Sequence, residues 1–178
     1  ARFQFEKALE LDQKHINSLL NLASLFRKSG KFTDALRLGK KAKKADPNNV
    51  SVLNNLGNTL VDCNFSDEAV LTYKKAIRID PESGLSHWNL SLALLSIGKT
   101  AEGFAEMRWR WNWKEFPGKR RKLSKPVWSG EDLSSKTIFI YPEQGLGDAI
   151  QFVRYSSELL HLAKHVILEV PKPLSKLI

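Results

Sequence analysis

Along the first two thirds of the chain, apolar positions recur three and four apart, and the pattern returns every 34 residues. Leu19, Leu22, Ala23, Phe26, Ala35 and Ala42 precede Pro47. Leu53, Leu56, Gly57, Leu60, Ala69 and Ala76 precede Pro81 at the same offsets. The short spacing predicts amphipathic helices, and the long period predicts stacked helical hairpins instead of one closed core. Two full repeats are expected, over 16–49 and 50–83. Asp46-Pro47 and Asp80-Pro81 read as helix starts, an acid at the cap and proline at the first helical position, and Ser66 with Asp67 and Glu68 starts another helix. Ala1, Phe5 and Ala8 match Ala69, Tyr73 and Ala76 two repeats later. Residues 1–11 therefore read as the second helix of a repeat whose first is missing, and the chain is expected to be cut at its N-terminus.

A fourth unit from Gly84 keeps Leu90, Leu94 and Gly98 and then departs, with Gly103, Met107 and Arg110 at the places of Ala69, Tyr73 and Ala76. Terminal repeats are atypical because they cap a stack or join it to something else. This unit ends in Arg108-Trp109-Arg110-Trp111-Asn112-Trp113. On an α-helix Trp109 and Trp113 share a face, and they are expected, with Trp128, to be largely buried.

Beyond residue 136 the period changes. Thr137–Tyr141 reads as a buried strand, Pro142–Gly147 as a turn, Asp148–Lys164 as one amphipathic helix and His165–Val170 as a second strand. That is a βαβ unit, and two strands do not stand as a domain. The expected fold class is mostly α: an α-solenoid over 1–115, a basic linker over 116–135, and over 136–178 the first, Rossmann-like βαβ unit of an incomplete α/β domain.

The net charge of +9 raises nucleic acid as a partner, but its distribution lowers that expectation. From Lys99 to Trp128 there are nine basic and three acidic residues, so most of the excess sits in one joint of the chain. Gly118–Lys122 reads as a solvated linker, and no nucleic-acid motif accompanies it. No apolar run approaches the ~20 residues of a membrane helix. The N-terminus shows no signal peptide, so a cytoplasmic location is expected. Cys63 is the only cysteine, which excludes an intrachain disulfide and suggests a small buried hydrophobe in a reducing compartment.

Three asparagines, Asn21, Asn55 and Asn89, recur at the repeat interval, although asparagine is a mediocre helix residue. Stacked first helices would set them in a row roughly 10 Å apart. An extended peptide advances ~3.3 Å per residue, so each amide could meet its backbone about every third residue. Each amide offers both a donor and an acceptor, and Asn58 joins the same groove. The alternative is that these amides tie neighbouring helices together.

Glu143-Gln144-Gly145-Leu146-Gly147-Asp148 stands between a strand and a helix. Its glycines let the backbone approach a ligand and the helix start favours an anion, which marks Gln144, Gly145 and Gly147 as a ligand loop. Asp148 reads as an N-cap or first-turn acid that stabilises the helix. A dinucleotide fold would use Gly145, Gly147 and Glu169, but Ile150 stands at its third glycine. His161 and His165 lack a third ligand, so no metal site is expected.

The alternation of small and large residues resembles the tetratricopeptide repeat family. The asparagine row is similar to the ladder lining the groove of O-linked N-acetylglucosamine transferases. A Trp/Arg-rich end of the solenoid leads to Pro126-Val127-Trp128-Ser129-Gly130-Glu131. A strand, the Glu143–Asp148 loop and Gln151-Phe152-Val153-Arg154-Tyr155 follow. This order resembles bacterial repeat proteins fused to a GT-B-type glycosyltransferase. The resemblance implies a full-length enzyme that uses a nucleotide-sugar donor, with a groove that recruits a protein or peptide. Likeness to heptosyltransferases implies a base role for Asp148. It also implies that the given chain holds no cofactor and is inactive alone, because the donor contacts mostly a second lobe. The alternative is a non-catalytic protein-interaction scaffold.

Overall fold

The computed structural model describes residues 2–118, 120–143 and 145–178, in two compact units, Ala1–Phe116 and Pro117–Ile178. The first unit is helical throughout: α1 (Arg2–Leu11), α2 (Ile16–Lys28), α3 (Phe32–Ala45), α4 (Val50–Asp62), α5 (Ser66–Ile79), α6 (Gly84–Ser96) and α7 (Thr100–Met107). Helices α2/α3, α4/α5 and α6/α7 form the hairpins. Each hairpin turns at a left-handed residue, Gly30, Asn64 and Gly98, spaced 34 apart with φ of 71°, 62° and 77°. The next backbone N–H reaches back to the helix, as Lys31 to the Phe26 carbonyl at 2.8 Å and Phe65 to that of Leu60 at 2.8 Å. That closure requires positive φ, which glycine adopts freely and asparagine tolerates.

The helix starts differ from expectation. α4 begins at Val50 and α6 at Gly84, three residues past the prolines. Asn49 Oδ1 accepts from the Val52 N–H at 3.2 Å, and the Ser83 hydroxyl accepts from the Ser86 N–H at 3.4 Å. Asp46 and Asp80 end the preceding helices instead, their N–H groups still bonded to the Ala42 and Ala76 carbonyls. A residue before proline is pushed out of the helical region, and Asp46 sits at φ −141°, ψ 88°. Helix α5 does start at Ser66, though no side chain caps it.

Two apolar clusters hold the stack. One joins Leu19, Leu22, Ala23, Ala35, Leu38 and Ala42 to Val52 of the next hairpin. The other joins Leu56, Leu60, Ala69 and Tyr73 to Leu90 and Leu94. The predicted interior of the second repeat is buried as expected, Leu53, Leu56, Leu60, Ala69, Tyr73 and Ala76 included. Gly57 makes room for the Tyr73 ring, since a Cβ there would fall inside van der Waals contact with it. The first helices α2, α4 and α6 touch in succession, whereas the second helices α3 and α5 approach each other far less. The stack therefore curves with its first helices on the inside.

In the last hairpin the tryptophan-rich segment is a 3-10 turn over Arg108–Asn112, not an α-helix. Trp109 lies flat on His87, centroids 4.3 Å apart and planes at 9°. Trp88, Trp111 and Trp113 surround Phe116. Trp109 and Trp113 are half-buried. Trp128 corrects the expectation: it is 41% exposed, and its indole N–H donates to the Glu131 carbonyl. Cys63 is also only half-buried, at the end of α4, where burial pushes its thiol up.

The second unit holds β1 (Thr137–Ile140), α8 (Leu146–Phe152), α9 (Ser156–Leu162) and β2 (His165–Leu168). The strands pair in parallel, Thr137 opposite His165 and Ile140 opposite Leu168. The single helix expected over 148–164 is broken by a 3-10 turn at Val153–Tyr155. There the Ser157 hydroxyl donates to the Arg154 carbonyl at 2.7 Å, a back-bond of the kind that accompanies bent helices. Strands of a doubly covered parallel sheet are buried on both faces. Here Phe139 and Ile167 are exposed. This is a small two-stranded sheet, which gives no support to the Rossmann-like βαβ unit expected over 136–178.

Candidate functional site

On α2, α4 and α6 side chains at the edge of the core form rows with the 34-residue period. Asn17, Ser51 and Leu85 make one row, Asn21, Asn55 and Asn89 the next, and Ser24, Asn58 and Leu92 a third. Asn21 is exposed, while Asn55 and Asn89 are half-buried. Asn89 Nδ2 donates to Asn54 Oδ1 at 3.4 Å, and Asn54 Nδ2 donates to the Ser86 hydroxyl at 2.8 Å. Asn89 thus ties its helix to the one before. Asn58 Oδ1 accepts from the Tyr73 hydroxyl at 2.6 Å; burial pushes that hydroxyl up, so it stays a donor. Asn55 differs. Its Oδ1 is buried and, among the described residues, has no partner. Leaving a buried acceptor unpaired costs about 1–3 kcal/mol.

Two residues of this region escape sequence reasoning. Asn54 is buried, but Leu20 and Trp88 stand at its offsets, so no register marks it. His87 is buried at the place of Leu19 and Leu53. Its Nδ1 is hydrogen-bonded to the Glu106 carboxyl group and its Nε2 to the Pro81 carbonyl at 2.9 Å. The signal was a polar residue at a core position. At the ends of α2 and α4, Arg27 Nε donates to Asp62 Oδ2 at 2.5 Å.

In the second unit, the loop expected to bind a ligand follows β1. Gln144 lies outside the described residues. Among the described residues, no atom lies within 4 Å of where a Cβ would stand on Gly145 or Gly147, so no packing contact among them requires glycine at either place. Asp148 lies in the first turn of α8, exposed, and makes no hydrogen bond among the described residues. Of the two places expected for it, it takes the first turn, and Gly145 takes the N-cap. Glu169, the acid a dinucleotide fold would turn to ribose, is gripped by both Arg121 terminal nitrogens at 2.6 Å, and Arg121 lies 4.8 Å over the Tyr141 ring. Among the described residues no cluster of His, Cys, Asp or Glu could hold a metal ion, and no helix is long and apolar enough to cross a membrane.

The Arg121 guanidinium holds the Glu169 carboxyl below its usual range. A carboxylate depressed in the fold stabilises it above the unfolded pKa, and the contribution disappears as pH falls through the folded one. The pair should therefore hold at neutral pH and let go only below the ordinary glutamate value of about 4.3. Tyr141 ring signals followed by NMR should move in that acid window, and Glu169→Gln should remove the step. A transition at or above the ordinary value would contradict the pairing.

Residues 18–51 and 50–83 each match a tetratricopeptide repeat family model. Protein FlbA of Caulobacter vibrioides is 24% identical over 179 residues, covering 79% of this chain and 30% of that protein. The peroxisomal targeting signal receptor of Saccharomyces cerevisiae is 30% identical over 87 residues, covering 48% of this chain and 14% of the receptor. This chain thus spans less than a third of these curated relatives. Among solved structures, a crystal structure of MamA superposes with TM-score 0.55 at 20% identity, over 62% of this chain and 64% of MamA. A second MamA structure gives 0.51 at 22%, over 61% and 62%. These likenesses show a helical repeat fold. None of these names or family models is a glycosyltransferase, so the fused enzyme expected by resemblance gains no support from them.

Proposed function

We propose, with residues 18–83 as tetratricopeptide repeats for the premise, that this chain is a protein-interaction scaffold. Its inner face holds an extended protein segment by the row Asn21, Asn55 and Asn89, with Asn58 beside it. The observation that carries this reading is the unpartnered, buried Oδ1 of Asn55 in the middle of that row. A peptide N–H would supply the donor it lacks once the Asn55 side chain turns toward the groove, which would offset the cost of keeping it unpaired in the free fold. The targeting-signal receptor matched over the repeats supports a peptide as the ligand class. The test is fluorescence anisotropy with a labelled, uncharged Ser/Thr/Gly/Val peptide of about fifteen residues, enough to cross three helices ~10 Å apart. Saturable binding that the triple exchange of the row to alanine removes supports the reading; binding indifferent to that exchange defeats it.

A second reading has one observation in its favour. Gly145 and the start of α8 follow the carboxyl end of β1 in a parallel pair, the place where open α/β sheets bind ligands. The FlbA alignment, at 79% of the chain, also extends past Phe116 into this unit. On this reading the unit begins a GT-B-type glycosyltransferase domain, a nucleotide sugar is the donor and Asp148 takes the acceptor proton. Asp148→Asn in the protein that also carries a donor lobe should then lower sugar transfer without unfolding it, and unchanged transfer would sink the base role.

A further inference from the structure

The second helix α3 carries Arg37, Lys40, Lys41, Lys43 and Lys44 beside one acid, Asp34. Arg37, Lys40, Lys41 and Lys44 are all exposed and, three and four apart, share one stripe of the helix. Asp34 lies 3.6 Å from Arg37, and Lys41 Nζ reaches Gln13 at 3.5 Å. Lys40 and Lys44 have no ion pair among the described residues. The stripe returns on α5, where Lys74 and Arg78 stand one repeat after Lys40 and Lys44. Leu71 shares their side of α5 and is 67% exposed. Lys74 lies 3.9 Å from Glu102, and Arg78 has no ion pair among the described residues. Cations in a last turn stabilise a helix end, which accounts for Lys43, Lys44 and Arg78 but not for Arg37, Lys40 and Lys74. Acids recur as well: Asp34, Glu68 and Glu102 stand at the repeat interval in the first turns of α3, α5 and α7.

We infer that the outer face of α3 and α5 is a second docking surface, for an acidic helical segment of a partner protein. Its carboxylates meet Lys40, Lys44, Lys74 and Arg78, and an aliphatic side chain meets Leu71. Cations held together without counter-charges raise the local potential and draw opposite charge to it. Lys40 and Lys44 stand about 6 Å apart along α3, the rise over four residues, which matches acids four apart on a partner helix. A uniform polyanion fits less well. A nucleic-acid strand laid along these helices would also meet the row of Asp34, Glu68 and Glu102, and its backbone offers nothing aliphatic to Leu71. An anionic bilayer is flat, whereas the second helices lie on the outside of the curve. A protein segment can set acids and bases against both rows. This surface does not depend on the asparagine row, which belongs to the first helices.

The probe is a labelled helical peptide of about twenty residues, ~30 Å long, with glutamates four apart, one leucine between them and alanine elsewhere. Fluorescence anisotropy should show saturable binding at about 50 mM salt that weakens roughly tenfold by about 300 mM. Lys40→Gln/Lys44→Gln should weaken it about fivefold to tenfold, as expected for two exposed ion pairs, and Lys40→Arg/Lys44→Arg should retain it. Lys14→Gln/Lys99→Gln removes the same charge from exposed positions between helices and should weaken it less than about twofold. Leu71→Ser should weaken it at both salt concentrations. Equal losses in the two glutamine pairs would mean that net charge alone is read, and that overturns the inference. An oligothymidylate strand of the same length, or phosphatidylserine vesicles, bound more tightly than the peptide in the same salt would overturn it as well. So would a peptide that does not bind at the lower salt.

Discussion

Replacing Tyr73 by alanine should lower the stability of the repeat-bearing unit by about 3–5 kcal/mol in urea unfolding, the range for a large aromatic removed from a packed interior. Tyr73 is 1% exposed and sits in the cluster that joins α4 and α5 to α6. Its ring fills the space that Gly57 vacates, so truncation leaves a cavity that the glycine cannot fill. In a stacked array such a loss also weakens the interface with the neighbouring hairpin. Tyr73→Phe keeps the ring and gives up the bond to Asn58; about 0.5–1.5 kcal/mol is expected for it. Two exchanges of equal cost would mean that the ring is not the keystone of the second repeat.

The exchange Asn21→Ala/Asn55→Ala/Asn89→Ala should weaken binding of the neutral peptide by roughly 100-fold, at about 1 kcal/mol for each amide. Stability should respond differently at each site. Asn89→Ala gives up the bond to Asn54 and should destabilise. Asn55→Ala removes an acceptor that has no partner in the fold, so the free protein should be as stable or more stable while its affinity falls. A residue kept for the fold cannot show that pairing of effects. If Asn55→Ala destabilises the free protein and leaves affinity alone, the amide is structural.

The hairpins were legible because a solenoid repeats its packing, and so Leu19 and Leu53, or Ala42 and Ala76, return at fixed offsets. The helix starts were misread because Asp-Pro has the composition of a cap, while the geometry before proline turns the same aspartate into the end of the previous helix. Contacts made once, and not per repeat, left no periodic trace. Asn54 with Ser86, His87 with Glu106 and Arg121 with Glu169 all join residues far apart in the chain. The break between α8 and α9 coincides with a bond from the Ser157 hydroxyl to the Arg154 carbonyl, and apolar spacing is silent on that. The asparagine row was visible as a register, but the different roles of its members were not. Only the coordinates separate Asn89, which is bonded to its neighbour, from Asn55, which is not.

The most direct measurement is the side-chain amide NMR of the repeat-bearing chain during titration with the neutral peptide. The account predicts saturable shifts of the Asn21, Asn55 and Asn89 amide signals along one binding curve, largest at Asn55, with the outer-face backbone signals of Lys40, Lys44 and Lys74 unmoved. Shifts confined to those outer residues, or asparagine signals that stay still while the peptide binds, would contradict it.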